Sequence, residues 1–284
     1  MSSGTVVYLH GMGGVRPNWA EPLGLSDVTC VAPSYADLLD PKRDVYAARP
    51  PRATHVESAS IERERYVERQ HELADIVHRV GEAVPRGMSW PAVLPHPSRL
   101  PDRLPLPQVM RTPIFGIDQV GRYLDDESRR AAVIARTHDA LRVARPPVVV
   151  IAHSLGSVVI ADMLADLPCD IDVLVTLGSP LGHEAVASAV PLGPFPYDRV
   201  GGWVNVVHVL DPVPFGRGIA DRIPAALDVY LPVLAGAPST LGTLPWIMTG
   251  IARAATAHLD TSYLASNTVR ALVREGLGQS VGVS

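Results

Sequence analysis

Apolar residues along the chain gather in short runs separated by stretches with helical spacing. Thr5 to Leu9, Val28 to Ala32, Pro147 to Ala152, Asp172 to Leu177, Trp203 to Leu210 and Asp228 to Leu234 are rich in Val, Ile, Leu and Tyr and bounded by Gly, Pro or Asp. Such runs are expected for strands buried on both faces. Glu127 to Ala144, Leu155 to Leu167 and Asp260 to Glu275 carry the 3.6-residue spacing of helices. So does Glu57 to Val84, where Leu73, Ile76, Val77, Val80 and Val84 share one face. Strands alternating with helices predict an α/β fold: a mostly parallel sheet with helices on both sides. No period of 20 to 50 residues recurs, which argues against solenoids and propellers.

Proline changes this picture in one place. Pro91, Pro95, Pro97, Pro101, Pro105 and Pro107 follow each other so closely that neither a helix nor a central strand is expected there. The 284 residues divide into a predicted core of 1–33 and 128–284 and an inserted segment, 34–127. Hydrophobic residues make up 47% and charged residues 19%, enough apolar material for a sizeable core and too little charge for a disordered chain. A net charge of −4 gives no basic face for phosphate backbones, so nucleic-acid binding is not expected. Cys30 and Cys169 have no metal-ligand spacing and build no disulfide framework. The apolar stretch from Val229 to Ala255 is interrupted by Pro232, Pro238, Pro245, Gly236, Gly242, Gly250 and Arg253, so no membrane span is expected. The first residues carry neither a basic region nor an adequate apolar stretch, and the chain reads as cytoplasmic.

In a parallel sheet, ligands bind beyond the carboxyl ends of the strands. After the Pro147 strand stands Ala152-His153-Ser154-Leu155-Gly156, and a helical pattern follows at once. Small residues two before and two after a serine suit a tight strand-to-helix turn that presents the hydroxyl at the sheet edge. The Leu155 N–H, at the helix start, is suited to hold a developing negative charge. The plain alternative is a serine capping a helix. After the first strand comes His10-Gly11-Met12-Gly13-Gly14, a turn whose Met12 N–H is the candidate second donor. A phosphate loop is a poor reading of it, because neither Gly-Lys-Ser/Thr nor a GxGxxG fingerprint is present. Asp211 ends the Trp203 run and is the candidate acid, its alternative being a turn-initiating Asp before Pro212. His258, after the last strand and before the final helix, is the candidate base, with His183 and His208 less well placed.

The order Ser154, Asp211, His258 is that of α/β-hydrolases and differs from the orders of chymotrypsin and subtilisin. Over residues 5–32 and 128–275 the chain resembles bacterial lipases and esterases of that superfamily. His10-Gly11-Met12 is similar to their oxyanion loop, His153-Ser154-Leu155-Gly156-Ser157 to their nucleophile elbow, and Leu177-Gly178-Ser179-Pro180 to the turn after the next strand. Ala152 stands where the first elbow glycine is usual, the path from 233 to 257 is longer than usual, and 34–127 replaces a shorter connection.

The resemblance implies an α/β-hydrolase fold and a serine hydrolase cleaving a small-molecule ester or thioester through an acyl-enzyme. Ser154, Asp211 and His258 would be catalytic, the Met12 and Leu155 amides would form the oxyanion hole, and His10, Gly11, His153 and Gly156 would support them. No metal or organic cofactor is needed, and no protein partner is indicated. A peptidase, an amidase or an acyltransferase would use the same residues, and a catalytically silent binding module would use the same fold. In the related enzymes an insertion over the sheet edge forms a lid. Here Trp90, Val93, Leu94, Leu104, Leu106, Ile114 and Phe115 would line the pocket beneath it, the plain alternative for 34–127 being a solvent-exposed linker on the far side.

Overall fold

The apolar runs form a seven-stranded sheet: β1 (Thr5–Leu9), β2 (Thr29–Val31), β3 (Val84–Pro85), β4 (Val148–His153), β5 (Val173–Leu177), β6 (Trp203–His208) and β7 (Leu227–Leu231). The structure, a computed structural model, describes residues 4–48, 60–86, 118–190, 192–214, 216–232 and 257–279. The strand order is β2-β1-β4-β5-β6-β7-β3, parallel throughout except that β3 pairs antiparallel with β7. Every residue of β1, β4, β5 and β6 is buried. That is why these strands read as unbroken apolar runs and not as alternating patterns.

Seven helices lie among the described residues: α1 (Ser60–Val80), α2 (Asp118–Asp125), α3 (Glu127–Arg142), α4 (Leu155–Met163), α5 (Glu184–Ala189), α6 (Asp260–Leu264) and α7 (Asn267–Gly276). Val7, Leu9, Val148, Val150, Ala152, Leu174 and Trp203 point to one face, where Tyr123, Val133, Leu141, Val158 and Val159 from α2, α3 and α4 cover them. Val6, Tyr8, Val149, Ile151, Val173, Val175 and Leu177 point to the other, against Leu73, Ile76 and Val77 of α1 and Tyr263, Val269 and Leu272 of α6 and α7. Strict alternation between two covered faces is the three-layer α/β arrangement.

Three elements differ from the sequence expectations. β2 is an edge strand with Thr29 and Cys30 exposed, because only β1 pairs with it. The expected Asp260 to Glu275 helix is broken in two. Ser266 leaves helical geometry and accepts from the Val269 N–H at 3.2 Å, while Glu82 accepts from Ser266 Oγ and the Thr268 N–H. A capping serine beside a carboxylate at a helix start favours a new N-terminus over continuation. The expected Glu57 to Val84 helix ends at Val80, and Val84 belongs to β3. Described parts of the 34–127 segment pack with the sheet layers. α1 lies on a sheet face, β3 extends the sheet, and Arg129 of α3 donates to the carbonyls of Leu38, Asp40 and Arg43. Residues 87–117, which include Trp90, Val93, Leu94, Leu104, Leu106, Ile114 and Phe115, lie outside the described residues. No described helix is long and apolar enough to cross a membrane.

Candidate active site

The strand order changes direction between β1 and β4. From β1 the chain proceeds to β2 on one side, and from β4 it proceeds through β5, β6 and β7 on the other. Loops leaving the carboxyl ends of such a strand pair diverge and open a crevice. The two loops there are residues 10–14, after β1, and the turn at Ser154, after β4. They are close neighbours: a methyl group added to Gly11 would stand 3.1 Å from Ser154 Cβ and 2.7 Å from His153 Nδ1.

Ser154 has φ 50° and ψ −114°, a conformation that costs a non-glycine residue about 1–3 kcal/mol and needs its surroundings to enforce it. The Ser154 N–H donates to Leu177 O at 2.9 Å, and the Ser157 hydroxyl donates to Ser154 O at 2.5 Å. α4 can start this close to β1 only because residue 156 is glycine. A Cβ there would lie 2.2 Å from the Leu9 carbonyl oxygen. The position therefore tolerates nothing larger, whereas Ala152, at the usual first glycine of the elbow, is fully buried without difficulty.

Three of the sequence candidates meet in one chain of contacts. Ser154 Oγ lies 3.1 Å from His258 Nε2, and His258 Nδ1 lies 2.9 Å from both Asp211 oxygens. A carboxylate only accepts, so Nδ1 carries the hydrogen and Nε2 presents its lone pair to the serine hydroxyl. Ser154 is 3% exposed, Asp211 1% and His258 9%, so the contacts are shielded from water. Asp211 ends the path from β6, and its Oδ1 also accepts from the Val213 N–H at 2.8 Å. His258 stands two residues before α6. Its backbone is held by His153, whose Nε2–H donates to His258 O at 2.8 Å. Burial lowers the His153 pKa to about 3, and His258 beside it adds to the effect, so His153 is a neutral donor.

The Leu155 amide opens α4 and so lacks a helical acceptor, and the Met12 amide lies in the turn after β1. Neither N–H has a hydrogen-bond acceptor among the described residues. His10 has no hydrogen bond to the serine among the described residues. Its ring stacks on Tyr35 at 3.9 Å, its Nε2 accepts from the Tyr35 N–H at 3.1 Å, and the Tyr35 hydroxyl donates to His10 O. His10 thus ties the 10–14 loop to the segment after β2. His183 and His208 lie apart from the serine: His183 donates from Nε2 to Val213 O, and His208 Nδ1 accepts from the Leu210 N–H.

Two further residues beside these contacts were not singled out by the sequence. Asp260 accepts from the Tyr8 hydroxyl at 3.0 Å and the Thr261 N–H at 2.8 Å, and Arg16 approaches it at 3.4 Å, which pins α6 to β1. Tyr263 donates to Asp211 Oδ2 at 2.6 Å. Both stand in the Ala-His-Leu-Asp-Thr-Ser-Tyr stretch around His258, but in sequence a polar residue early in a helix reads as a surface group or a cap. No group of described residues has the make-up of a metal site. No protein-family model, no curated protein and no solved structure matches this chain.

Proposed function

We propose that the chain is a serine hydrolase of the α/β-hydrolase type, cleaving carboxylic ester or thioester bonds through an acyl-enzyme. The observation that carries this reading is the unbroken contact from Ser154 Oγ through His258 to Asp211, set on a strained turn at the crevice where the strand order reverses. A helix-capping serine has no use for a histidine at 3.1 Å. The Ser154 side chain makes no capping bond within α4.

His258 Nε2 takes the hydroxyl proton as Ser154 Oγ bonds to the acyl carbon, and the carbonyl electron pair moves onto oxygen. Asp211 stabilises the imidazolium formed and keeps the ring turned towards the serine. The Leu155 and Met12 amides, which have no acceptor among the described residues, are the donors offered for the oxyanion. Collapse of the intermediate releases an alcohol or thiol, which receives the proton from His258. Water then repeats the sequence on the acyl-enzyme and frees the acid. All the groups required are side chains and amides of this chain.

The test is turnover of p-nitrophenyl esters of increasing chain length, acyl thioesters and peptide amides by the purified protein. Ester or thioester hydrolysis that falls on the order of 1,000-fold or more in His258→Ala is expected. Hydrolysis confined to the amides would reassign the substrate class, and no turnover of any acyl substrate would overturn the reading.

A further inference from the structure

Asp211 is gripped from more than one side. Val213 N–H donates to Oδ1 at 2.8 Å, Tyr263 O–H lies 2.6 Å from Oδ2, and His258 Nδ1 stands 2.9 Å from each oxygen. The direction of the Tyr263 bond is fixed by a second contact: the His208 N–H points at the phenol oxygen at 3.0 Å. A backbone N–H can only donate, so the phenol oxygen accepts there and its one proton is committed to Asp211. Burial raises the Tyr263 pKa well above the ordinary value, with Asp211 adding to it, so the phenol keeps that proton.

The arrangement also needs a bare backbone beneath it. Gly178 has φ +55°, and a Cβ there would lie 2.6 Å from Asp211 Oδ2, 3.2 Å from Tyr263 Oη and 3.3 Å from His258 Nδ1. Acid, base and phenol therefore converge on one point where no side chain can fit. Tyr263 follows His258 by five residues on the short segment that Asp260 and His153 pin down. One element thus carries both the base and the brace of its acid.

We infer that Tyr263 is a positioning residue for acyl transfer, its phenol proton orienting the Asp211 carboxylate towards His258 Nδ1 while Gly178 leaves the space for the contact. The inference rests on the serine-hydrolase reading. A carboxylate with one bond to the imidazole can rotate about its terminal torsion, whereas donors to both oxygens fix its plane and leave the imidazole a single orientation. Among the described residues the Tyr263 hydroxyl bonds to Asp211 and the His208 N–H and has no bond to Ser154, Leu155 or Met12, so its hydroxyl reaches the base through Asp211.

Tyr263→Phe removes the proton and keeps the ring. Its expected effect is a loss of about 10- to 100-fold in kcat, the worth of one hydrogen bond to a charged group, with KM within about threefold of wild type. The rate of Ser154 labelling by a fluorophosphonate should fall by the same factor, and the low-field proton resonance of His258 Nδ1–H should move. In an Asp211→Asn background the same change should cost less than about twofold more, because the group it orients is already disabled. A merely structural role would instead cost the same factor in both backgrounds. That outcome overturns the inference, as does Tyr263→Phe labelling at the wild-type rate. If Tyr263→Phe does not fold, Tyr263→3-fluorotyrosine keeps both phenol contacts while strengthening the donor to Asp211. The His258 Nδ1–H resonance should then move, and an unmoved resonance with wild-type labelling would overturn the inference. Failure of the wild-type protein to label at all would overturn the hydrolase reading itself, a result distinct from any of these.

Discussion

At the residue scale, the site is built from positions where one atom more is too many. Gly156 lets α4 start against β1 with no room for a Cβ, which would lie 2.2 Å from a carbonyl oxygen that belongs to the sheet. Gly156→Ala should destabilise by about 3 kcal/mol or more, lowering the thermal midpoint by roughly 6 °C or more in calorimetry, and should reduce labelling of Ser154 in whatever folds. Asp211→Asn leaves the packing nearly unchanged but offers an amide where His258 Nδ1–H needs an acceptor. A fall of kcat on the order of 1,000-fold or more is expected, with a thermal midpoint near wild type. Near-normal turnover in that variant would remove Asp211 from the mechanism. Ser154, Asp211 and His258 could be picked out as candidates because each lies within three residues of a strand end or a helix start, positions that strand runs and helical periodicity mark in the sequence. Tyr263 and Asp260 could not, because their partners, Asp211 and Tyr8, are 52 and 252 residues away. Nothing in the local pattern distinguishes a polar helix residue that faces inwards.

At the element scale, α2, α3 and α4 are fastened beneath the elbow by a buried polar cluster. Arg130 Nε of α3 donates to Asp162 Oδ2 of α4 at 2.6 Å, and the Tyr123 hydroxyl of α2 donates to the same oxygen at 2.8 Å. The Asp162 side chain is fully buried. Breaking such a pair leaves a buried charge without its guanidinium, whereas replacing both partners with apolar groups removes the burden. Arg130→Met should therefore cost roughly 3 kcal/mol in urea unfolding, and the Arg130→Met/Asp162→Leu double variant should recover most of that loss. A double variant no more stable than the single one would show that packing, not charge, dominates there. In sequence Arg130 reads as a solvated helix residue beside Arg129, and both in fact point inwards. The break between α6 and α7 was equally hidden. Ser266 announces a cap only when Glu82, far away in the chain, is seen beside it.

At the scale of the whole molecule, strand runs and helical periodicity indicated a parallel sheet covered on both sides. They carried no information on which strands adjoin, so neither the reversal between β1 and β4 nor the exposure of β2 was readable. Several histidines are buried and neutral around this sheet: His10, His153, His183 and His208 all have pKa values lowered chiefly by desolvation. The unfolded chain takes up protons on these groups as pH falls through the ordinary histidine value of 6.5, whereas the folded chain takes them up only at lower pH. Stability is therefore present above that value and is lost as pH falls, for His153 until its folded value of about 3 is reached. The urea midpoint should decline from pH 7 to pH 4, with His153 alone contributing on the order of 1 kcal/mol per pH unit. His153→Gln, which keeps a donor for His258 O but does not titrate, should flatten that decline by one group's share. The central claim is that this sheet exists to present one activated serine. It is tested most directly by treating the purified protein with a fluorophosphonate and locating the adduct by peptide mass spectrometry. Stoichiometric modification at Ser154, lost in Ser154→Ala and strongly slowed in His258→Ala, is the expected result. Absence of the adduct from folded wild-type protein, or a modified residue other than Ser154, would contradict it.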